Sequence, residues 1–404
     1  MQLVEKHIIK PTHKYYLEID NLCFLSKNLY NSALYNIRQY FFETGKYSNY
    51  NTIQKKFQSE NQPDYIKLPR KISQQILMLV DKNFKSFFKA NQQYKINSNK
   101  FKAKPKLPKY KDKLEGRFLL TYTIQAISRK ELKNNIIKLS GTDININTKV
   151  DDIQQVRLVP MQYCHKIEVI YRKECKRINN ANGSTVAIDI GLNNLATVVS
   201  NDNEINPFII NGKPLKSINQ YYNKKKSESQ SKIGSKTSKK IKQLTYKRNN
   251  KVLNYLHNAS RYLVNHLVSK GVTVVIIGKN QNWKQDINIG KVNNQNFVSI
   301  PHDTFINQLK YKFELEGISV IIREESYTSK CSLLDMESIE KHDKYLGRRI
   351  HRGLFRSSNG TKINSDVNGG GNIMRKAFPN AFDANGIQGI VVFPLKITPY
   401  KLAS

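Results

Sequence analysis

Apolar residues recur at three- and four-residue steps in two stretches of the first hundred residues. The first stretch covers residues 22–40, and the second covers residues 72–87, shortly after Pro69. This spacing places apolar side chains along one face of a helix, so it predicts two amphipathic helices. We expect their apolar faces to pack against each other. A short run at residues 15–19 precedes the first helix and is predicted as a strand.

Three short runs rich in β-branched and aromatic residues follow, at residues 118–122, 156–159 and 166–171. Asn, Asp and Gly separate these runs, which is typical of strands joined by tight turns. The pattern predicts a small β domain that begins near the N-terminus, with a helical module inserted into it at about residues 21–100.

A different pattern begins after the polar, turn-rich residues 177–184. Residues 185–200 contain an apolar strand, a tight turn with Gly and Asn, and a second strand, which predicts a β-hairpin. Residues 271–278 form a β-branched run that is typical of a central parallel strand. Residues 318–325 repeat this pattern after a helix that we predict at residues 303–316. Strands and helices in alternation indicate an α/β fold.

The charge of the chain points to a class of partner. Its 404 residues include 67 Lys and Arg against 31 Asp and Glu, which gives a net charge of +36. This excess makes nucleic acid the first partner to expect, and it exceeds what an enzyme of small acidic substrates needs. Aromatic residues make up 10% of the chain, and hydrophobic residues 39%, so the sequence is not that of a disordered basic tail.

The four cysteines and the absence of long apolar runs indicate the compartment. No two cysteines stand at C-x-x-C spacing, so we expect buried thiols rather than disulfides or a four-thiolate zinc site. No stretch approaches the ~18 apolar residues of a membrane span. Residues 1–14 lack the apolar core of a signal peptide. We expect the cytoplasm or the nucleoid as the compartment.

Three basic stretches are candidates for contact with nucleic acid. Residues 100–111 carry lysines at alternate positions and two prolines, which exclude a helix and favour an extended chain with the lysines on one side. They are interpreted either as a row of phosphate contacts or as a solvated linker. Residues 213–251 are predicted to form helices inserted between strands, and residues 348–352 follow later. The candidate contacts are Lys100, Lys102, Lys104, Lys106, Lys224, Lys225, Lys226, Lys239, Lys240, Arg348, Arg349 and Arg352.

Acidic residues stand at three places that suit a cation. Asp189 lies inside an apolar strand, so it is hydrogen-bonded, ion-paired or a metal ligand, because an unpaired buried carboxylate is costly. Glu324 and Glu325 end a predicted strand, and Asp366 stands where a loop becomes a helix, as an N-cap or turn residue also would. Carboxylate oxygens that converge from separate elements are what two Mg²⁺ ions require.

Several stretches together resemble the TnpB family, the RNA-guided endonucleases of IS200/IS605-type insertion sequences, which are related to the type V (Cas12) CRISPR effectors. The resemblance is carried by residues 189–197 (DIGLNNLAT), 327–332 (YTSKCS) and 366–373 (DVNGGGNI), and in the first half by residues 108–111 and 122–128. It implies a RuvC (ribonuclease-H-like) α/β nuclease domain, and a wedge β-barrel interrupted by a helical recognition domain. It also implies a guide RNA from the element's end, and cleavage of double-stranded DNA beside a short flanking motif.

The resemblance also implies domain boundaries. It places the wedge domain at residues 1–20 and 101–180, and the recognition domain at residues 21–100. The nuclease domain comprises residues 184–326 and 363–380, interrupted by an insert at residues 327–362 that resembles a target-strand-loading domain, and followed by a tail at residues 381–404.

The chain departs from the family pattern at two places. The strand at residues 274–277 is followed by Gly-Lys-Asn, with no acid where the family commonly has its middle glutamate. Some members have this glutamate three residues before the Thr of the Thr-Ser-Lys motif, which here is Glu325, with Glu324 as the fallback. In the insert, Cys331 stands alone before Asp335, His342 and His351, so we expect no structural zinc.

The resulting prediction is an RNA-guided DNA endonuclease that uses two Mg²⁺ ions, with Asp189, Glu325 and Asp366 as both catalytic residues and metal ligands. Its partners would be a guide RNA and double-stranded DNA. Two alternatives remain at this point. One is a nuclease-inactive, RNA-guided DNA-binding repressor of the same family, and the other is an ATPase of the actin-like or sugar-kinase fold, which opens with a similar strand and Gly turn.

Overall fold

The computed structural model describes residues 1–177, 183–234, 237–280, 299–351, 353–382 and 393–399. The chain divides into two units, Met1–Lys173 and Glu174–Ser404. No helix in these described ranges is both long enough and apolar enough to cross a membrane.

The first unit combines helices with antiparallel strands. Its elements are β1 (Gln2–Ile9), α1 (Tyr16–Thr44), α2 (Tyr50–Ser59), α3 (Pro63–Ile66), α4 (Arg70–Ile96), β2 (Leu120–Thr123), α5 (Arg129–Leu132), β3 (Ile136–Lys138), β4 (Asn145–Asn147), β5 (Ile153–Pro160) and β6 (His165–Arg172). The strands form an antiparallel sheet of order β1-β6-β5-β2 and a separate β3-β4 ribbon. Within residues 1–173 the larger sheet is open at both edges, so the ladder does not close into a barrel.

The two predicted helices are confirmed as α1 and α4, which pack against each other. The strand predicted at residues 15–19 is wrong, because α1 already begins at Tyr16 and the first strand is β1. Ile19 is fully buried and continues the helical spacing of Leu22 and Cys23. The alternating exposure along β1 instead matches its pairing with β6.

Hydrogen bonds from charged groups connect the distant segments of the first unit. Asp20, on α1, receives two hydrogen bonds from the Arg117 guanidinium, at 3.0 and 2.7 Å, and its Oδ1 lies 3.1 Å from Nε2 of His165 on β6. These contacts hold the pKa of Asp20 below its usual value, although its partial burial acts in the opposite direction. The residues that follow the first basic stretch are therefore anchored to both the helices and the sheet.

The second unit is built on one mixed sheet. Its elements are β7 (Ser184–Ile190), β8 (Asn194–Ser200), β9 (Phe208–Asn211), α6 (Lys213–Ile233), α7 (Lys239–Ser269), β10 (Val272–Gly278), α8 (His302–Leu315), β11 (Ser319–Arg323), β12 (Arg348–His351), β13 (Leu354–Arg356), β14 (Lys362–Asn364), α9 (Ser365–Ala377) and β15 (Leu395–Ile397). The strand order of the large sheet is β11-β10-β7-β8-β9-β15.

Strand directions in this sheet confirm the pattern predicted for the second half of the chain. The β7-β8 pair is the predicted antiparallel hairpin, and β9 continues it as a meander. β10 is a central parallel strand between β7 and β11, as its β-branched run indicated. Helices α6 and α7 lie between β9 and β10 in the chain, which confirms the helices predicted for the second basic stretch. Within the stretch assigned to a tail, Leu395–Ile397 form an additional strand parallel to β9.

Different helices pack on the two faces of the sheet, and this shows on which face Asp189 lies. Val186 and Ile188 of β7 pack into the core made with α7 and α8. Ala187, between them, packs on the opposite side with Ile373 of α9. Because side chains alternate along a strand, Asp189 lies on the face covered by α9.

Candidate metal site

Asp189 lies on the floor of a cleft at the end of β7. Its pKa is raised well above the usual value, first because the carboxyl group is desolvated, and then because Glu325 and Asp366 lie near enough to act on it. The guanidinium of Arg349 opposes this shift but does not cancel it. Three acidic groups from separate elements therefore share one electrostatic environment.

Asp366 is positioned by the start of α9. The side chain of Asn364 caps this helix and accepts hydrogen bonds from the backbone N–H of Asp366, at 3.0 Å, and of Val367. Asp366 therefore lies in the first turn and is not the N-cap itself. Its Oδ2 accepts a hydrogen bond from Nδ2 of Asn194 at 2.5 Å, while Oδ1 of Asn194 is buried and has no hydrogen-bond partner among the described residues.

The two adjacent glutamates after β11 have different environments. Glu324 accepts hydrogen bonds from Nζ of Lys376, at 2.5 Å, and from the backbone and side chain of Ser326. Although desolvation acts to raise it, these bonds leave the pKa of Glu324 below its usual value. Glu325 is half-buried, and within the described part of the chain its Oε2 has no hydrogen-bond partner. Desolvation, followed by repulsion from Glu324, raises the pKa of Glu325 to about 7.

Glu325 occupies the space beside Gly278, where β10 ends. Ile277 pairs with Ile188, so Gly278 is level with Asp189 on the neighbouring strand. A Cβ atom added to Gly278 would lie 2.7 Å from Oε2 of Glu325 and 2.5 Å from Cδ1 of Ile373. There is room for only one side chain here, and Glu325 provides it from the next strand.

The three carboxylates are close, but they are not arranged as a finished metal site. Across the described ranges, no three His, Cys, Asp or Glu side chains are grouped tightly enough to hold an ion as they stand. Asp366 is directed to Asn194, and Glu325 lies against Gly278. The ligand set still fits a hard divalent ion, because it consists of oxygen atoms and includes a buried oxygen with no partner.

Two asparagines of α9 hold the loop that follows Glu325. Nδ2 of Asn372 donates to the carbonyl oxygens of Thr328, at 3.0 Å, and Cys331, at 2.8 Å. Nδ2 of Asn368 also donates to Cys331, and its Oδ1 accepts from the backbone N–H of Leu333. The loop that follows Glu325 is therefore bound to the helix that carries Asp366. The sequence analysis missed Asn194 on β8 and Asn368 and Asn372 on α9, although two amides on one face of a helix rich in small and apolar residues are a signal.

Two protein-family models match this chain. Residues 162–284 match the OrfB family of IS605 elements, described as "Probable transposase", and residues 302–373 match the Cas12f1-like TNB domain. Asp189 falls within the first match, and Glu325 and Asp366 fall within the second. The chain is related to the TnpB transposases and the Cas12 proteins.

Solved structures of Cas12 proteins are also similar to this TnpB/Cas12-related chain. A Cas12f1–sgRNA–target DNA complex is 14% identical, with coverage of 92% of this chain and 98% of that chain and a TM-score of 0.36. A CRISPR-Cas12f ternary complex is 12% identical, with coverage of 89% and 82% and a TM-score of 0.37. CasPhi-2 (Cas12j) bound to crRNA is 10% identical, with coverage of 97% and 99% and a TM-score of 0.36. No curated protein sequence matches.

Hydrogen bonds to carboxylates hold the insert of this TnpB/Cas12-related chain together. Glu337 is buried and accepts from the backbone N–H of Ser332, at 2.7 Å, and of Leu346, at 2.8 Å. Asp335 accepts from the backbone N–H of Ser358 at 2.9 Å. The thiol of Cys331 is buried and donates to the carbonyl oxygen of Glu340. Strands β12, β13 and β14 form an antiparallel sheet beside these contacts.

The predicted basic contacts lie in different surroundings. Arg349 lines the cleft together with Asp189 and Asp366, and Arg348 precedes it on the exposed strand β12. Arg352 lies outside the described residues. Lys225 and Lys240 line a second cavity of about 400 Å³ between α6 and α7. The remaining candidates in the described ranges carry exposed or half-buried side chains: Lys100, Lys102, Lys104, Lys106, Lys224, Lys226 and Lys239.

We expect Asn372→Ala to lower the free energy of unfolding by about 1–3 kcal/mol, because the buried Thr328 carbonyl would lose its donor and the Cys331 carbonyl would keep only Asn368. It should also raise the Mg²⁺ concentration needed for half-maximal cleavage by about 10-fold, as changes to groups that orient ligands do. Denaturant unfolding and a Mg²⁺ titration below the melting range measure the two effects. Asn380→Ala, at an exposed residue beyond α9, is the control. An Asn372 variant with unchanged unfolding and Mg²⁺ dependence would contradict this role.

Proposed function

We propose that this chain is an RNA-guided, metal-dependent DNA endonuclease of transposable-element origin. The observation that carries the proposal is the convergence of Asp189, Glu325 and Asp366 from β7, the end of β11 and the start of α9 onto one edge of a sheet. The two family models cover these three positions. A net charge of +36 suits a protein that holds both RNA and DNA.

The three acids are the residues that would hold two Mg²⁺ ions. When bound, such ions activate water and stabilise the leaving 3′-oxygen in an in-line displacement. The chain itself binds and orients the polynucleotide. Arg349 extends into the cleft beside Asp189, where its guanidinium suits a phosphate group of the DNA. Asn194 holds Asp366, and the loop of residues 327–333 fastened to α9 keeps Glu325 near it.

The other parts of the chain are assigned by the same proposal. Residues 1–20 and 101–180 would form the wedge domain, and residues 21–100 the recognition domain that reads the motif beside the target. Exposed lysines would bind phosphates of the guide and the target, while base pairing with the guide supplies the sequence specificity. The nuclease domain would comprise residues 184–326 and 363–380, and residues 327–362 would load the target strand. A DNA target would place the protein at the bacterial nucleoid.

A second candidate is an RNA-guided DNA-binding repressor that does not cut, which would use the same guide and target surfaces without the metal. The kinase alternative is not supported by Gly370 and Gly371, because both lie inside α9. Added Cβ atoms there would meet side chains of Val199 and Leu333, so these glycines serve close packing instead of binding phosphate.

The proposed function is tested by purifying the protein with its native flanking DNA expressed, and sequencing the RNA that remains bound. We expect one RNA species with a variable segment. A plasmid library that carries the complement of that segment beside random flanking bases should then be cut in Mg²⁺ but not in EDTA. Guide-dependent protection without cutting would support the repressor, and neither binding nor cutting would overturn both candidates.

A further inference from the structure

One row of paired residues crosses the large sheet from Asp189 to its outer edge. Asp189 pairs with Thr197 on β8, Thr197 pairs with Ile209 on β9, and Ile209 pairs with Lys396 on β15. Paired residues on neighbouring strands project to the same side of a sheet. Lys396 is therefore on the same face as Asp189, three strand spacings or roughly 14 Å away.

The strand that carries Lys396 is fixed to the sheet. Its residues pair with β9 in parallel register, and Ile397 packs into the core on the opposite face. Nδ2 of Asn211 donates to Oγ1 of Thr398 at 3.0 Å. Phe393, Pro394 and Lys396 thereby become a defined part of the cleft wall. They extend the site beyond the three acids.

The cleft offers an aromatic ring and two ammonium groups at this edge. It has a volume of about 500 Å³, and its lining includes Asp189, Asp366, Lys213, Phe393 and Lys396. The side chain of Phe393 is 91% exposed. Neither ammonium group donates a hydrogen bond or forms an ion pair within the described part of the chain.

The two lysines lie close enough to repel each other. Burial lowers the pKa of Lys396, and the charge of Lys213 lowers it further, against the opposite effect of Asp366. A phosphate group between them would relieve this repulsion. An exposed ring beside paired cations is the combination that single-stranded nucleic acid uses, because an unpaired base can stack on the ring while its phosphates bind the cations.

We propose that β15 and the start of α6 form a docking site for a single-stranded polynucleotide that runs into the cleft, with a base on Phe393 and phosphates on Lys396 and Lys213. The inference rests on the proposed function and deepens it. The site would guide the end of the polynucleotide towards Asp189, so that the polynucleotide is held on both sides of the reacting phosphate. A paired base has no free face for the ring, so the site selects an unwound strand.

The test uses the purified ribonucleoprotein in EDTA, so that cleavage plays no part. Eight-nucleotide DNA and RNA strands that contain one 2-aminopurine report stacking by fluorescence quenching. Phe393→Ala should abolish the quenching and weaken binding by about 5- to 150-fold, the range expected for one stacked base. Leu395→Ala is the matched control, because Leu395 is 70% exposed on the same strand but does not line the cleft. It should behave as the wild type does.

A second variant tests the phosphate contact. Lys396→Gln should reduce the slope of log affinity against log salt by about 0.7, which corresponds to one lost contact with a single strand. Quenching that survives in Phe393→Ala, or is lost equally in Leu395→Ala, would overturn the docking site. Quenching with either DNA or RNA supports the docking site, and the nucleic acid that binds more tightly is identified as its ligand. If the wild type shows this stacking but never cuts a guided target, the proposed nuclease fails while the docking site holds.

Discussion

Replacement of Asp189 by Asn is expected to reduce guided DNA cleavage by about 10³-fold or more. Besides desolvation, the charges of both Glu325 and Asp366 raise the pKa of Asp189, so Asp189 lies near both and is the acid best placed to contact both ions. Loss of such a ligand removes several kcal/mol of charge stabilisation in the transition state, and each 1.4 kcal/mol corresponds to about a factor of ten in rate. Initial rates of cleavage at saturating Mg²⁺ measure the effect.

The same substitution should make the metal-free protein more stable. The pKa of Asp189 is raised in the folded state, so its ionisation is less favourable there than in the unfolded chain and lowers stability as the pH rises above the ordinary carboxyl range. Asn removes this cost, and we expect the free energy of unfolding in EDTA at neutral pH to rise. Asp343→Asn, at an exposed position in the insert, makes the same chemical change and should leave both stability and cleavage unaltered.

These two effects together distinguish a functional acid from a structural one. A structural Asp would lose stability when it is replaced, whereas a ligand in the company of other acids gains stability and loses activity. An Asp189→Asn protein that still cuts guided DNA at the wild-type rate would overturn the assignment of the site.

Replacement of Glu325 by Gln is expected to lower cleavage by about 10³-fold, while Glu324→Gln changes it by no more than a few-fold. The two residues are neighbours of the same type, so each variant is the matched control of the other. Glu324 is held by Lys376 and Ser326, whereas Oε2 of Glu325 is buried beside Gly278 without a partner. Of the two glutamates, Glu325 is therefore the one available to a cation. Full activity in Glu325→Gln, with loss in Glu324→Gln, would reverse the assignment.

Glu325 also predicts a pH dependence of stability. Its pKa is about 7 in the folded state against an ordinary value of 4.5, so burial favours its protonated form. Its ionised form therefore lowers stability progressively as the pH rises from about 4.5 to about 7, and the penalty is constant above that range. In EDTA, the stability advantage of Glu325→Gln over the wild type should grow across this window and then level off. Denaturant unfolding at a series of pH values measures it, and an advantage independent of pH would contradict the raised pKa.

Sequence patterns were sufficient for the elements whose signal is local. The paired helices α1 and α4 follow from periodicity, because one face of each is buried. The β7-β8 hairpin and the parallel strands β10 and β11 follow from apolar, β-branched runs, because both faces of this sheet are covered. The run at residues 15–19 gave a wrong prediction, since five apolar and polar residues fit a strand and a helix equally well. Which of the two forms depends on the tertiary contacts that bury its apolar residues.

The sequence by itself determined the charge of this protein, the α/β pattern of its second half and the three places where acidic residues suit a cation, because these depend on residue type and short-range spacing. Tertiary structure alone decided which glutamate lies by Gly278, since Lys376 and Ser326 bind one of two adjacent side chains. It also decided that Leu395–Ile397 extend the sheet, because three residues carry too weak a pattern and pair only where β9 offers an open edge.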